Sequence, residues 1–228
     1  MRGRGRWIVL ALACLMVAAV ALLLVDRRPP APEMNETSAA PCEEPLSAGG
    51  AVALGDSITF GSTLPHAEDS WFEQLACAED PPIRYAHNAG IYGNTTEQML
   101  ARLDGDVLAR DPDTVFVLGG TNDVLSGIPQ AETIGHLREI VERSRQAGAD
   151  VYLGTIPPQA VPLAIETTVD LNEAIVAMAE RVDVPVLDFH AAFFDTDGRH
   201  HDGLFSDMVH PSVTGARLMA QVAREALA

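Results

Sequence analysis

Three residues set far apart in the chain carry the parts of a nucleophilic site. Ser57 stands in Ala51-Val52-Ala53-Leu54-Gly55-Asp56-Ser57-Ile58-Thr59, where a short apolar run empties into a glycine, an acid and a serine. Asp207 and His210 stand in Asp207-Met208-Val209-His210-Pro211, near the other end. A serine hydroxyl attacks an ester only when a histidine takes its proton and a carboxylate orients that histidine. The chemistry these residue types can do is acyl transfer through Ser57 Oγ, with His210 as general base and then general acid. One tight turn suffices to bring the Asp207 carboxylate to His210 Nδ1 and fix the tautomer.

The elements that must position these groups follow from hydrophobic period. Short β-prone runs at 51–54, 83–86, 114–118, 151–155 and 184–188 alternate with helical patterns. Ser70-Trp71-Phe72-Glu73 and Thr95-Thr96-Glu97-Gln98 are capping boxes that open two of the helices. Others carry Ile134, Leu137, Ile140 and Val141, then Leu171, Ile175 and Met178, and after Pro211 a closing helix with Ala216, Met219, Ala220 and Ala223. Five strands alternating with helices predict a parallel sheet covered on both faces, an α/β fold in three layers. Such sheets hold their sites beyond the strand C-termini. Ser57, 88–94, 119–123, Pro157-Pro158 and 188–210 all follow predicted strand ends and share one rim.

A Gly-Asp-Ser tripeptide alone is weak evidence, but four signals coincide. Gly55-Asp56-Ser57-Ile58-Thr59 follows strand one, Asn88-Ala89-Gly90 strand two, and Gly120-Thr121-Asn122-Asp123 strand three; Asp207-x-x-His210-Pro211 precedes the last helix. In order and spacing this resembles the SGNH superfamily of GDSL-type serine hydrolases, over residues 51–227. The resemblance implies a five-stranded flavodoxin-like α/β/α fold and a Ser57, Asp207, His210 catalytic set. It also implies an oxyanion hole made by the Ser57 N–H, the Gly90 N–H and the Asn122 side-chain amide. The residue types suit this, since glycine lets backbone approach closely and asparagine donates without charge. The 88–96 segment with Arg102-Leu103 looks like the lysophospholipase-like and arylesterase-like branch. No cofactor and no metal are implied. Asp195-x-Asp197-Gly198 with His200-His201-Asp202 lacks the remaining ligands of a calcium loop. Asp56 and Asp123 read as backbone organisers or caps, and His66, His87, His136 and His190 as surface or loop residues. Asn94-Thr95-Thr96 matches a glycosylation sequon by chance.

Residues 7–25 form an unbroken apolar run behind Arg2, Arg4 and Arg6, long enough to cross a bilayer. The expected organisation is a signal anchor or signal peptide at 1–28, a Pro/Ala/Glu-rich linker at 29–45 and a catalytic domain at 46–228. The domain then sits outside the cytoplasm, membrane-bound or secreted. From Glu43 onward 29 acids face 10 arginines, and the chain has no lysine. A surface this negative excludes nucleic acid and disfavours anionic polymers, leaving a neutral ester of a small molecule, lipid or glycan as substrate. Phe60, Ile91, Tyr92, Leu125 and residues 161–165 are candidates for a short or medium acyl pocket. Cys42 and Cys77 are the cysteines outside the apolar run, and an oxidising exterior permits them to pair. A monomer is expected. Two other functions fit the same sequence: an O-acyltransferase that passes the acyl group to a sugar hydroxyl, and a non-catalytic carbohydrate-binding envelope protein.

Overall fold

Strand residues alternate faces, and the core divides accordingly. In Thr114–Leu118, Val115 and Val117 point into one apolar cluster while Phe116 and Leu118 point into another. This two-sided burial is what a central parallel strand requires. The protein is described by a computed structural model for residues 48–199 and 201–228. Five strands, β1 (Ala51–Gly55), β2 (Tyr85–Gly90), β3 (Thr114–Leu118), β4 (Asp150–Gly154) and β5 (Val186–Leu187), form one sheet in the order β2-β1-β3-β4-β5. Every pairing is parallel. This is the flavodoxin-like order, whose topological switch lies between β1 and β3.

The helices are α1 (Ser57–Phe60), α2 (Trp71–Ala76), α3 (Thr96–Ala101), α4 (Leu103–Asp106) and α5 (Thr121–Ser126) in the first half of the described chain. Then follow α6 (Gln130–Gln146), α7 (Ile165–Val182), α8 (Phe189–Ala192) and α9 (Val213–Ala226). Met99, Leu103, Leu137, Ile140, Leu171 and Ile175 place α3, α4, α6 and α7 on one face. Ile58, Trp71, Phe72, Phe189, Met219 and Ala223 place α1, α2, α8 and α9 on the other. The expected three-layer α/β/α fold is the observed one. Among the described residues no helix is long and apolar enough to cross a membrane; the apolar run at 7–25 lies outside them. Cys77 is disulfide-bonded, and Cys42, its expected partner, also lies outside the described residues.

β1 and β4 differ from the sequence-based expectation by a single residue, and β2 and β5 differ by more. β2 runs to Gly90, so Asn88-Ala89-Gly90 is strand and not the loop after it, in register with Ala53, Leu54 and Gly55 of β1. Asparagine, alanine and glycine have poor strand propensity, and the ladder to β1 overrides it. β5 shrinks to Val186–Leu187, because Pro185 has no N–H to give, although its carbonyl still accepts from Leu153 N at 3.0 Å.

The feature that seats α1 is the missing Cβ of two glycines. A Cβ on Gly90 would lie 2.2 Å from Phe60 N and 2.7 Å from Thr59 C, both backbone atoms of α1. A Cβ on Gly55 would lie 2.1 Å from Thr59 Oγ1 and 2.8 Å from Leu118 O. Neither space can open without moving backbone. Gly90→Ala is therefore expected to cost about 1–3 kcal/mol, the range for overpacking, seen as a lower urea midpoint at unchanged m-value. Gly105→Ala, in α4 with open space around the new methyl, is the contrast: helix propensity makes it neutral to stabilising. Equal losses for the two would overturn the packing account.

Candidate active site

Ser57 is the first residue of α1, not a loop residue, and its side chain is almost fully buried. Asp56 caps this helix: its Oδ1 accepts from Ile58 N at 2.9 Å. The Ser57 N–H, at the first helical position, has no carbonyl one turn earlier to bond. Asp207 and His210 come from the segment between the α8 region and α9. Asp207 Oδ1 accepts from Val209 N at 2.8 Å and His210 N at 2.7 Å, which forms the tight turn expected of the pair. Its Oδ2 lies 2.8 Å from His210 Nδ1, and His210 Nε2 lies 3.0 Å from Ser57 Oγ. A carboxylate can only accept, so Nδ1 carries the proton and Nε2 presents its lone pair to the serine hydroxyl. Partial burial opposes ionisation of Asp207, but the hydrogen bonds from His210 and Val209 outweigh it and hold the carboxyl below its ordinary range. The group that orients the imidazole therefore stays charged at neutral pH.

Asn122, in the first turn of α5, faces the same place. One hydrogen of its Nδ2 goes to Asn94 O at 2.9 Å, while Asp56 Oδ2 stands at 3.5 Å, too far for a strong bond. The second hydrogen is thus held only by this long contact, which a stronger acceptor can displace. Gly90 is a correction. Its N–H donates to Asn88 Oδ1 at 2.9 Å, so it is not an open donor. Asn88 is spent on architecture too, with Nδ2 donating to Thr59 O at 2.8 Å and to Glu73 Oε2 at 2.9 Å. In the loop after β2, the Gly93 N–H has no acceptor among the described residues. Its φ of +74° is one that glycine adopts freely. This amide lies between Tyr92, whose ring stacks on His210 with centroids 6.3 Å apart, and Asn94, which holds Asn122.

The two acids read as organisers differ in environment. Asp123 is fully buried and receives Thr96 N at 3.0 Å, Thr96 Oγ1 and Thr133 Oγ1 at 3.2 Å, locking α5 to α3 and α6. Asp56 is also fully buried, and burial pushes its carboxyl up to about 6 despite the opposing hydrogen bond from Ile58 N. Of the four histidines expected at the surface or in loops, His136 has Nδ1 3.1 Å from Thr96 Oγ1. Asp195 Oδ1 accepts from Asp197 N at 2.8 Å and Arg199 N at 2.9 Å. Among the described residues no group of three or more acids, histidines or cysteines is placed to hold a metal ion; His200 lies outside them.

Ile91, Tyr92, Leu125, Leu163, Ile165, Val169 and Met208 are the large exposed hydrophobics among the described residues. All but Val169, which lies within α7, are on the rim segments that follow β2, β3 and β4 or stand near His210 in the chain. The 155–164 segment joins this rim through Ala160 N, which donates to Met208 O at 2.8 Å. A separate groove of about 340 Å³ lies between α7 and α8, lined by Thr155, Asn172, Glu173, Asp188 and His190 among others. It contains none of the residues that converge on Ser57.

This convergence of serine, histidine, acid and amide on one rim has a family match. The family model described as GDSL-like lipase/acylhydrolase matches residues 53–218. The chain belongs to that family. It is a carboxylic ester hydrolase. The esterase TesA of Pseudomonas aeruginosa is 30% identical over 176 residues, 75% of this chain and 84% of that protein. An acetylxylan esterase of Geobacillus stearothermophilus is 28% identical over 200 residues, 74% of this chain and 89% of that one. The crystal structure of a member of the lipolytic protein G-D-S-L family from Veillonella parvula superposes with a TM-score of 0.67 at 25% identity, covering 77% of this chain and 96% of that one.

Sequence reasoning named Ser57, Asp207, His210 and Asn122, and the structure brings these four together. It missed Asn94 and Gly93. Their roles come from tertiary contact, and the one local signal was the run of small and polar residues after β2.

The folded-state value of Asp56 lies above its ordinary 3.8, so ionising it costs the folded protein. Its contribution to stability is complete below pH 3.8 and is lost as pH rises to about 6, on the order of 3 kcal/mol. Asp56→Asn keeps the oxygen that caps α1. Urea midpoints taken between pH 4 and 7 are expected to show the variant gaining on the parent as pH rises through that window. A constant difference would rule out a raised carboxyl at this site.

Proposed function

We propose that this protein is an exported, membrane-tethered serine esterase that forms an acyl-enzyme on Ser57. The observation that carries this is the hydrogen-bonded line Asp207 Oδ2, His210 Nδ1, His210 Nε2, Ser57 Oγ, at 2.8 Å and 3.0 Å. Ser57 Oγ attacks the ester carbonyl carbon as its proton passes to His210 Nε2, and the carbonyl oxygen becomes an oxyanion. The Ser57 N–H, the Asn122 amide and the Gly93 N–H, the last in place of Gly90, are the donors toward that charge. The imidazolium returns its proton to the departing alcohol, leaving an acyl ester on Ser57. Water then repeats the sequence with His210 as base, and the acid is released.

The substrate is a neutral ester with a short or medium acyl group. Two features support this: the exposed apolar side chains of the rim segments, of which Tyr92 stacks on His210, and the net negative charge, which repels anionic polymers. The export and tether rest on the sequence of residues 7–25 with its flanking arginines.

A fluorophosphonate probe is expected to label the protein, and Ser57→Ala to abolish labelling; persistent labelling of that variant would refute the nucleophile assignment. Asn122→Ala is expected to lower kcat about 10²–10³-fold with the melting temperature little changed. For the substrate, p-nitrophenyl esters from acetyl to palmitoyl, run beside acetylated xylan and lysophospholipid, give the profile. Highest kcat/KM at butyryl to octanoyl is expected, and a steep preference for acetyl would move the assignment to acetylated glycans.

A further inference from the structure

Arg102 closes the turn between α3 and α4, and its guanidinium is spread over three groups. Nε donates to Asn94 Oδ1 at 2.7 Å, Nη2 to Gly55 O at 2.8 Å, and Nη1 to Asp106 Oδ2 at 3.0 Å. The side chain is only 15% exposed while that of Asp106 is 39% exposed. A half-exposed ion pair one turn apart on a helix is worth a few tenths of a kcal/mol, so the Asp106 contact is a weak reason to bury an arginine here. The other two contacts reach the site. Gly55 is the residue before Asp56-Ser57, and its carbonyl also receives Ile91 N at 3.1 Å. Asn94 presents its carbonyl to Asn122 Nδ2 at 2.9 Å.

We propose that Arg102 is a positioning residue for the oxyanion donors. The Nε–Nη2 edge of its guanidinium spans Gly55 O and Asn94 Oδ1 and so holds three things in register. These are the end of β1 that carries Ser57, the loop that carries the Gly93 amide, and the asparagine whose carbonyl aims Asn122. Only a planar fork can bridge two acceptors in this way, so lysine is not a substitute. Each donor must sit within a few tenths of an ångström of where the oxyanion forms, and a displacement of about 1 Å from a remote change can cost on the order of 100-fold in rate. The effect falls on the transition state and leaves ground-state binding to the apolar rim intact.

The proposal rests on the Ser57 acyl-enzyme reading, and the test separates the two. In the full chain, hydrolysis of a p-nitrophenyl ester is measured for Arg102→Met, Arg102→Lys, Asn94→Ala and Asp106→Asn. Arg102→Met and Arg102→Lys are expected to lower kcat roughly 10- to 100-fold with KM within about twofold, and Asn94→Ala, which removes one acceptor of the fork, to lower kcat in the same sense. Asp106→Asn is expected to keep kcat within about twofold. Added methylguanidinium is expected to restore part of the activity of Arg102→Gly, while methylammonium at the same ionic strength does not. Should Arg102→Met fail to fold, Arg102→Lys and Asn94→Ala still decide. Parental kcat in either, or a rise in KM at unchanged kcat, overturns the proposal. If Ser57→Ala loses fluorophosphonate labelling while Arg102→Lys keeps full kcat, the positioning role alone fails; labelling of Ser57→Ala would refute the acyl-enzyme reading instead.

Discussion

The close seating of α1 on the ends of β1 and β2 is the contact on which the site depends. Gly55 and Gly90 pair across the ladder, and the absence of a Cβ lets the backbone of Thr59 and Phe60 press onto Gly90 and the Thr59 side chain onto Gly55. Asn88 then stitches the contact, reaching from β2 to Thr59 O while its other end takes the Gly90 amide. Glycines here serve packing rather than a special φ. The consequence is that Ser57 starts a helix at a fixed height above the sheet, with its amide unpaired among the described residues and its hydroxyl toward His210.

Charge around that seat is distributed by environment. Asp207, partly exposed and receiving three donors, is held ionised. Asp56, one residue from the serine and fully enclosed, is pushed toward neutrality. Glu73, beneath β2, is likewise raised by burial, with Ser70, Asn88 and Tyr85 opposing that shift through hydrogen bonds. The same side-chain chemistry thus does different work according to how much water is left around it. The cost of the buried carboxyls falls on stability, and the rigid strand ends they help fix are where the donors toward Ser57 originate.

Ser57, Asn122, Asp207 and His210 were legible because each sits in a short block whose residue types are dictated by its own task, and because the blocks fall after strand-like runs. The alternation of strands and helices was legible from period alone, and Thr114–Leu118 was placed at its true bounds. β2 was misplaced by several residues, since Asn88-Ala89-Gly90 has no strand signature apart from its partner β1. The resemblance had put the Gly90 amide in the oxyanion hole, whereas that amide is already bonded to Asn88 Oδ1. Arg102 and Asn94 could not be found this way, because what they touch lies up to 47 residues away in sequence.

By itself the sequence determined the three-layer α/β class, the acyl-transfer chemistry and which serine, histidine and acid could perform it. Periodicity and residue type are local properties, and local properties survive in one dimension. Only the tertiary structure decided which donors are already bonded, which carboxyl is raised by burial and which loop amide is left without an acceptor among the described residues. Those depend on hydrogen bonds already spent and on water already excluded, and both are set by chain segments that meet only when the sheet is formed.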